Sequence, residues 1–119
     1  MKEIKAVHFC VIPKSNNNAG DNLLYELIRS LIDHYLIDIK IEWIIKSQWE
    51  VSTASYINDL GVDFALFGGG GLFLPDQKGA FKSNKTGWQI NIPPKEYEKI
   101  KASIYGAAIG FNWFRNSNF

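Results

Sequence analysis

The first part of the chain combines a largely apolar run with a helical pattern. Residues 4–12 are mostly apolar at odd and even positions alike, which predicts an interior strand of a parallel sheet. Pro13 ends this run, and we interpret Asp21 as the N-cap of the helix that follows. The apolar residues after Asp21 recur at helical spacing and are expected to form core contacts: Leu23, Leu24, Leu27, Ile28, Leu31 and Ile32.

The middle of the chain predicts a second strand and a second helix. Apolar and charged residues alternate over 37–46, which is typical of a strand with one solvated face and indicates the sheet edge. A helical pattern follows, and Gly61 is placed to end that helix. The predicted helix face comprises Trp49, Thr53, Tyr56, Ile57 and Leu60.

Two further strands are predicted around an irregular segment. Residues 62–67 form the third strand and residues 102–109 the fourth, with a short polar helix over 93–101 between them. Residues 72–92 show no clear periodicity, and a loop of about this length in a compact domain is often functional.

Strands that alternate with helices predict an α/β fold with an open, mostly parallel sheet. With the second strand at the edge, the spatial order is 2-1-3-4, a Rossmann-like and flavodoxin-like arrangement in which the chain reverses direction between strands one and three. Ligands of such sheets bind at this switch point, outside the carboxyl ends of the strands. The loops over 13–20 and 68–71 are therefore expected to lie side by side there.

Right-handed crossovers place the first helix on one face of this sheet and the other two helices on the opposite face. The third and fourth strands would then be bare on the side of the first helix, and the chain ends in an aromatic-rich loop over 110–119. We therefore interpret residues 1–119 as a partial amino-terminal Rossmann-like domain of a longer protein.

Four consecutive glycines, at 68–71, directly follow the third predicted strand. Such a run either turns the backbone through positive φ or lets a ligand phosphate or carboxylate approach bare amide N–H donors. A flexible or tightly packed turn without a ligand is the alternative.

Composition narrows the class of protein. The 119 residues are 46% hydrophobic and 21% charged, as in an average globular domain, and the net charge of +1 gives no electrostatic case for nucleic acid. No segment approaches the roughly 20 apolar residues that span a bilayer. Cys10, the single cysteine, is interpreted as a buried packing thiol in a reducing compartment, so we expect a cytoplasmic protein.

Three motifs occur in the order and spacing of the polysaccharide pyruvyl transferase family, which the chain resembles over nearly its whole length. The first is Asn-Ala-Gly-Asp-Asn at 18–22, which opens the first helix. The second is Asp-Phe-Ala-Leu-Phe followed by the glycine run, at 63–71, and the third is a strand that ends in Ile-Gly at 109–110.

The resemblance implies a transferase that moves a pyruvyl group from phosphoenolpyruvate to a sugar hydroxyl as a ketal, in surface-polysaccharide synthesis. It also implies two facing Rossmann-like halves, as in GT-B-like glycosyltransferases, with this chain in the amino-terminal half and the carboxyl-terminal half missing. The implied partners are phosphoenolpyruvate as donor substrate, a sugar or glycan acceptor and membrane-associated glycan assembly machinery, with no separate cofactor. The family's catalytic Arg and His lie largely beyond the matching residues, so the catalytic residues stay unassigned and the fragment alone is expected to be inactive.

Candidate substrate-binding residues come from these motifs and from the last loop. Asp21 either caps the helix or contacts a sugar hydroxyl, and Arg115 either pairs with a phosphate or carboxylate or is solvated. No metal ligand is expected. The full set is Asn18, Gly20, Asp21, Gly69, Gly70, Gly71, Asn112 and Arg115.

Two other classes of function remain open. A nucleotide- or phosphate-binding module of flavodoxin-like layout would share the sheet order, but neither Gly-x-Gly-x-x-Gly after the first strand nor Gly-x-x-x-x-Gly-Lys-[Ser/Thr] occurs. A non-catalytic interaction domain would use the aromatic tail as a contact surface: Phe111, Trp113, Phe114 and Phe119.

Overall fold

A computed structural model of the protein describes residues 1–10, 19–68, 90 and 92–107. These residues form a four-stranded, all-parallel sheet in the order β2-β1-β3-β4, which confirms the predicted fold class and strand order. The elements are β1 (Lys2–Cys10), α1 (Ala19–Tyr35), β2 (Ile39–Ser47), α2 (Ala54–Asp59), β3 (Phe64–Gly68), α3 (Pro94–Tyr97) and β4 (Ser103–Ala107).

β1 is an interior strand because its carboxyl half is apolar on both faces. Residues 6–10 are all buried, and β1 pairs with β2 on one side and with β3 on the other. β1 begins two residues before the predicted start at Ile4, and residues 11–12 lie outside the described part of the chain. β2 occupies one end of the strand order, which confirms the prediction that it is an edge strand.

The main core lies on the face of the sheet that α2 covers. Val7 and Phe9 of β1 are fully buried together with Ile57 of α2. The ring of Phe9 stacks on that of Phe67 in β3, with ring centroids 4.8 Å apart. Ile92, from the segment predicted to be irregular, is 5% exposed and belongs to the same cluster.

α2 is shorter than predicted and has defined ends. Thr53 is its N-cap, with the hydroxyl oxygen accepting a hydrogen bond from the backbone N–H of Tyr56 at 3.3 Å. Trp49 lies in a turn before the helix, so its predicted place on the helix face is wrong. Gly61 follows the helix with a φ of 65°, a left-handed conformation typical of glycine after a helix end.

α1 begins at Ala19, so Asp21 is the third residue of the helix. The prediction that Asp21 is the N-cap is therefore wrong. The positive end of the helix dipole favours a carboxylate throughout the first turn, and the N-cap position favours aspartate as well. Residue type alone did not distinguish the two positions.

α1 packs through a narrower stripe than its apolar pattern predicted. Tyr25 and Ile28 are buried, whereas Leu24 and Ile32 are half-buried. A single contact with the sheet buries only part of a helix circumference, so the rest of a broad apolar stripe stays exposed until another element covers it. Three leucines predicted to be core are exposed: Leu23, Leu27 and Leu31.

A row of aromatic rings crosses the sheet on the face that carries α1. The indole N–H of Trp43 donates to the Asp33 carboxylate of α1 at 3.1 Å, and the Trp43 ring lies against Phe64 with centroids 5.6 Å apart. Phe64 in turn contacts Tyr105 of β4 at 5.8 Å. Tyr105 is 57% exposed, in line with the expectation that β4 is bare on this face, but Leu66 of β3 is 4% exposed there, so the expectation that β3 is bare as well is wrong. That residues 1–119 belong to a longer protein stays a prediction.

The last elements differ from their predicted bounds. β3 begins at Phe64 and ends at Gly68, α3 comprises a single turn, and β4 begins at Ser103 and is described as far as Ala107. A carboxylate oxygen of Glu96 in α3 accepts a hydrogen bond from the backbone N–H of Ala54 at 3.2 Å. This bond ties α3 to the amino end of α2.

Candidate functional site

The carboxyl ends of β1 and β3 lie side by side at the switch point of the sheet. Phe9 pairs with Phe67 in register, so Cys10 and Gly68 are neighbouring strand ends. From these ends the chain continues into residues 11–18 and 69–89, which lie outside the described residues. The loops predicted to form a site therefore leave the sheet at adjacent points.

Gly68, the first residue of the glycine run, has a conformation that requires glycine. Its φ is 88°, where a side chain would strain the backbone. Gly68 is buried, and its carbonyl oxygen lies 2.6 Å from Nε2 of His8. The need for positive φ thus accounts for the first of the four glycines.

His8 is fully buried within β1 and has a polar partner at each ring nitrogen. Nε2 faces the Gly68 carbonyl, and Nδ1 lies 2.8 Å from Nη1 of Arg29. A carbonyl only accepts and a guanidinium only donates, so Nε2 carries the proton and Nδ1 accepts. Both bonds are satisfied by the neutral Nε2–H tautomer.

The surroundings of His8 keep its ring uncharged. Burial lowers the pKa of His8 from 6.5 to about 4; the hydrogen bond to Gly68 opposes this shift and the positive charge of Arg29 adds to it. The imidazole is therefore neutral at physiological pH. It serves as a fixed hydrogen-bonding bridge between β3 and α1.

Two aromatic rings hold the imidazole in this orientation. Tyr25 of α1 packs edge-on against His8, with centroids 5.6 Å apart and planes 86° to each other. Trp43 of β2 lies on another side, at 6.1 Å. The ring plane of His8 is thus fixed by neighbours from α1 and β2 in addition to its hydrogen bonds.

Arg29 brings a positive charge to the carboxyl end of β1. Side chains on a helix lean toward its N-terminus, which directs Arg29 of α1 toward this edge of the sheet. Its Nη1 lies within reach of His8 and also 3.8 Å from Sγ of Cys10. Both of these neighbours are uncharged, and no carboxylate among the described side chains forms an ion pair with Arg29.

Cys10 is a packing thiol, as predicted. It is 2% exposed, and burial raises its pKa to about 11, with the nearby charge of Arg29 acting in the opposite direction. A thiol with so high a pKa is protonated at neutral pH and is a poor nucleophile. Its role at this site is to fill space beside Arg29.

The residues predicted to bind substrate are described only in part. Gly20 and Asp21 lie in the first turn of α1, the helix that carries Arg29. Their assembly into one site with the remaining candidates stays a prediction. Those that lie outside the described residues are Asn18, Gly69, Gly70, Gly71, Asn112 and Arg115.

A separate groove lies at the opposite edge of the sheet, near the amino ends of β1 and β3. It has a volume of about 360 Å³ and is lined mainly by charged residues of both signs. The carboxylate of Asp63 there accepts a hydrogen bond from the backbone N–H of Lys5 at 2.9 Å. Parallel sheets bind ligands at their carboxyl edge, so this groove is not the candidate site.

Within the described ranges, no group of three His, Cys, Asp or Glu side chains is arranged to hold a metal ion. No helix in the same ranges is both long enough and apolar enough to cross a membrane.

The described fold defines the class of the protein: an α/β domain with an all-parallel sheet, α1 on one face and α2 on the other. Comparison of the chain with protein-family models, with curated proteins and with solved structures finds no match. A function is therefore inferred from the site and from the motifs of the chain itself.

Sequence reasoning missed the pairing of His8 with Arg29. Two features of the sequence could have indicated this contact. His8 is a lone polar residue inside an apolar interior strand, and Arg29 follows Tyr25 by four residues, which places it on the buried side of the helix. The two partners are 21 residues apart in the sequence, so no local pattern indicates their contact.

Proposed function

We propose that the chain is part of a polysaccharide pyruvyl transferase-like enzyme of the cytoplasm. The enzyme would take phosphoenolpyruvate and two hydroxyls of a sugar residue and produce a pyruvyl ketal and inorganic phosphate. Two bonds from the central carbon to sugar oxygens form, while the bond from that carbon to the phosphate oxygen and its π bond to the methylene carbon break. One hydroxyl proton adds to the methylene carbon, which becomes the methyl group, and the other leaves with the phosphate.

The adjacency of the β1 and β3 carboxyl ends carries this proposal. The Gly-Asp motif follows β1 and the glycine run follows β3, and the register of Phe9 with Phe67 brings the two strand ends together. A shared site at this edge is what the two motifs require if both contact one substrate. The family resemblance supplies the reaction, and the sheet order supports the placement of the motifs.

The proposal assigns this chain to one side of a larger cleft. We infer that a carboxyl-terminal half, in a GT-B-like arrangement, supplies the catalytic Arg and His and faces the carboxyl edge of this sheet. The acceptor would be a sugar or glycan presented by membrane-associated assembly machinery. Candidate substrate contacts on this side are the amides at 69–71 and the side chains of Asn18 and Asp21.

The test is acceptor-dependent turnover by the full-length protein. The protein is incubated with phosphoenolpyruvate and a glycan with free vicinal or 4,6-hydroxyls, phosphate release is measured, and the ketal methyl group is followed by NMR. Phosphate release that depends on the glycan, with a matching ketal signal, is expected. Absence of both with a panel of such glycans would refute the proposal.

Two glycine variants connect the activity to the site. Gly70→Ala puts a methyl group where a ligand would approach the backbone, and turnover is expected to fall by about two orders of magnitude or more. Gly61→Ala is the control for replacing a glycine outside the site, because its φ of 65° makes alanine unfavourable and, beyond its chain neighbours, no atom lies within 4 Å of the added carbon. This control is expected to lose stability while turnover per folded molecule is retained.

A phosphate- or nucleotide-binding module is the second candidate, favoured by the flavodoxin-like strand order. Such a module would bind FMN or a nucleotide at the same edge without turning over phosphoenolpyruvate. Titration with FMN, followed by flavin fluorescence, distinguishes it from the transferase.

A further inference from the structure

We propose that Arg29 is an oxyanion-binding residue, oriented by His8, that receives the phosphate or carboxylate group of the substrate at the carboxyl ends of β1 and β3. The identity of the substrate in this inference rests on the proposed function. The assignment of Arg29 itself rests on the contacts of the described residues.

The described side chains around Arg29 do not balance its charge. Arg29 is half-buried, and among the described residues the contacts of its Nη1 are with a neutral imidazole and a neutral thiol. Removing a cation from water is costly unless an anion or several hydrogen-bond acceptors replace the solvent. A site that holds a cation against neutral groups is therefore suited to an anion that arrives from outside.

His8 orients the guanidinium of Arg29 without neutralising it. His8 donates through Nε2 to the carbonyl of Gly68, which fixes Nδ1 as an acceptor aimed at Arg29. A carboxylate in place of His8 would neutralise Arg29, whereas neutral His8 holds the side chain and leaves its charge in place. With Nη1 held in this way, a guanidinium can still offer N–H groups of Nη2 and Nε to a phosphate or carboxylate.

Arg29 lies at the edge of the sheet where the substrate is expected to bind. His8 connects Arg29 to Gly68, the residue at which the glycine run begins, and Cys10 ends the strand that leads to the Gly-Asp motif. The charge thus lies at the switch point and not at the charged groove on the opposite edge.

Binding of simple anions to the full-length protein tests the inference. Inorganic phosphate, pyruvate and phosphoenolpyruvate are titrated at constant ionic strength, and binding is followed by calorimetry and by the shift in thermal midpoint. Binding of phosphate but not pyruvate indicates a site for the phosphoryl group, and binding of pyruvate but not phosphate indicates a site for the carboxylate. Binding of either anion supports an oxyanion site. If none of the three anions binds, the inference is overturned.

Variants of Arg29 connect binding to the residue. Loss of charge-assisted hydrogen bonds in Arg29→Gln is expected to weaken anion binding about tenfold or more. Arg29→Lys keeps the charge without the planar guanidinium, and its anion affinity is expected to lie between those of the parent and of Arg29→Gln. Lys40→Gln removes one exposed positive charge from β2 and is the matched control, expected to bind as the parent does. Equal affinity of the parent and Arg29→Gln would overturn the inference.

Variants of His8 test its positioning role. His8→Gln retains one donor and one acceptor, so anion affinity is expected to stay within a few-fold of the parent. His8→Leu removes the acceptor for Arg29 and is expected to weaken anion binding while circular dichroism shows a folded protein. If His8→Leu does not fold, the inference is tested by His8→Gln and the two Arg29 variants, because these substitutions keep the core volume and the polar contacts.

The outcomes separate this inference from the proposed function. Arg29-dependent phosphate binding without ketal formation supports the inference and counts against the transferase. Ketal formation with an unchanged Michaelis constant for phosphoenolpyruvate and unchanged turnover in Arg29→Gln supports the transferase and overturns the inference.

Discussion

The buried, neutral state of His8 predicts a specific dependence of stability on pH. The folded protein holds His8 with a pKa of about 4, whereas the unfolded chain has the ordinary value of 6.5. As the pH falls below 6.5, the unfolded chain binds a proton at His8 that the folded protein does not bind. The free energy of unfolding therefore decreases from about pH 6.5 downward and stops responding to His8 below about pH 4.

The size of this effect follows from the two pKa values. A shift from 6.5 to about 4 corresponds to a maximum loss of about 3 kcal/mol, of which about 2.5 kcal/mol has developed by pH 4.5. A domain of this size has a total stability of about 5–15 kcal/mol. The loss is thus large enough to be measured by equilibrium unfolding.

The variant His8→Gln keeps one donor and one acceptor and does not titrate. Urea unfolding of parent and variant is followed by tryptophan fluorescence between about pH 7.5 and pH 4.5, and the two free energies of unfolding are subtracted at each pH. Subtraction removes the contribution of the carboxylates, which both proteins share. His34→Gln, which removes an exposed histidine in the last turn of α1, controls for the loss of a histidine as such.

We expect the difference between parent and His8→Gln to change by about 2–3 kcal/mol over this range, in the direction of a relatively more stable variant at low pH. An NMR titration of the His8 ring protons should show no transition near pH 6.5 in the folded protein. Parallel stability curves for the parent and the variant, or a ring titration near pH 6.5, would refute the reasoning that His8 is buried without charge.

Three further predictions concern the core, the cap of α2 and the thiol. Ile57→Ala removes a side chain that is 0% exposed and should cost about 2–5 kcal/mol in urea unfolding, whereas Leu31→Ala, at 43% exposed, should cost much less; equal costs would contradict the described core. Thr53→Ala should lower stability by about 1 kcal/mol and Thr53→Ser should restore most of it, because the hydroxyl that caps Tyr56 N–H returns; a Ser variant no better than Ala would exclude the cap. Cys10, with its pKa raised to about 11 by burial, should react with iodoacetamide far more slowly in the folded protein than in urea, and equal rates would show that the thiol is accessible.

Some features of the site were readable from the sequence and others were not. The glycine run marked the end of β3 correctly, and Gly68 does adopt the positive φ that such a run permits. Asp21 was placed at the wrong helical position, because the preferences of the N-cap and of the first turn overlap. The contact of His8 with Arg29 and Gly68 was not predicted, since those partners are 21 and 60 residues away.

Local sequence pattern was sufficient to predict which segments are strands and how the strands are arranged. An apolar run on both faces can be satisfied only inside a sheet, and an alternating run only at a surface, so β1 and β2 were assigned to the interior and the edge from local pattern alone. The strand order followed from the edge position of β2, and the handedness of crossovers predicted which face each helix covers.

Which apolar residues are buried and which polar residues contact one another depends on the packing of elements that are distant in the sequence. A helical pattern shows that one side of α1 is apolar, but the neighbours determine how much of that side is buried, so Tyr25 and Ile28 are core while Leu27 is exposed. Likewise, the residue type of His8 does not determine its tautomer or its charge. The Gly68 carbonyl selects its tautomer, and burial keeps its ring neutral beside the charge of Arg29.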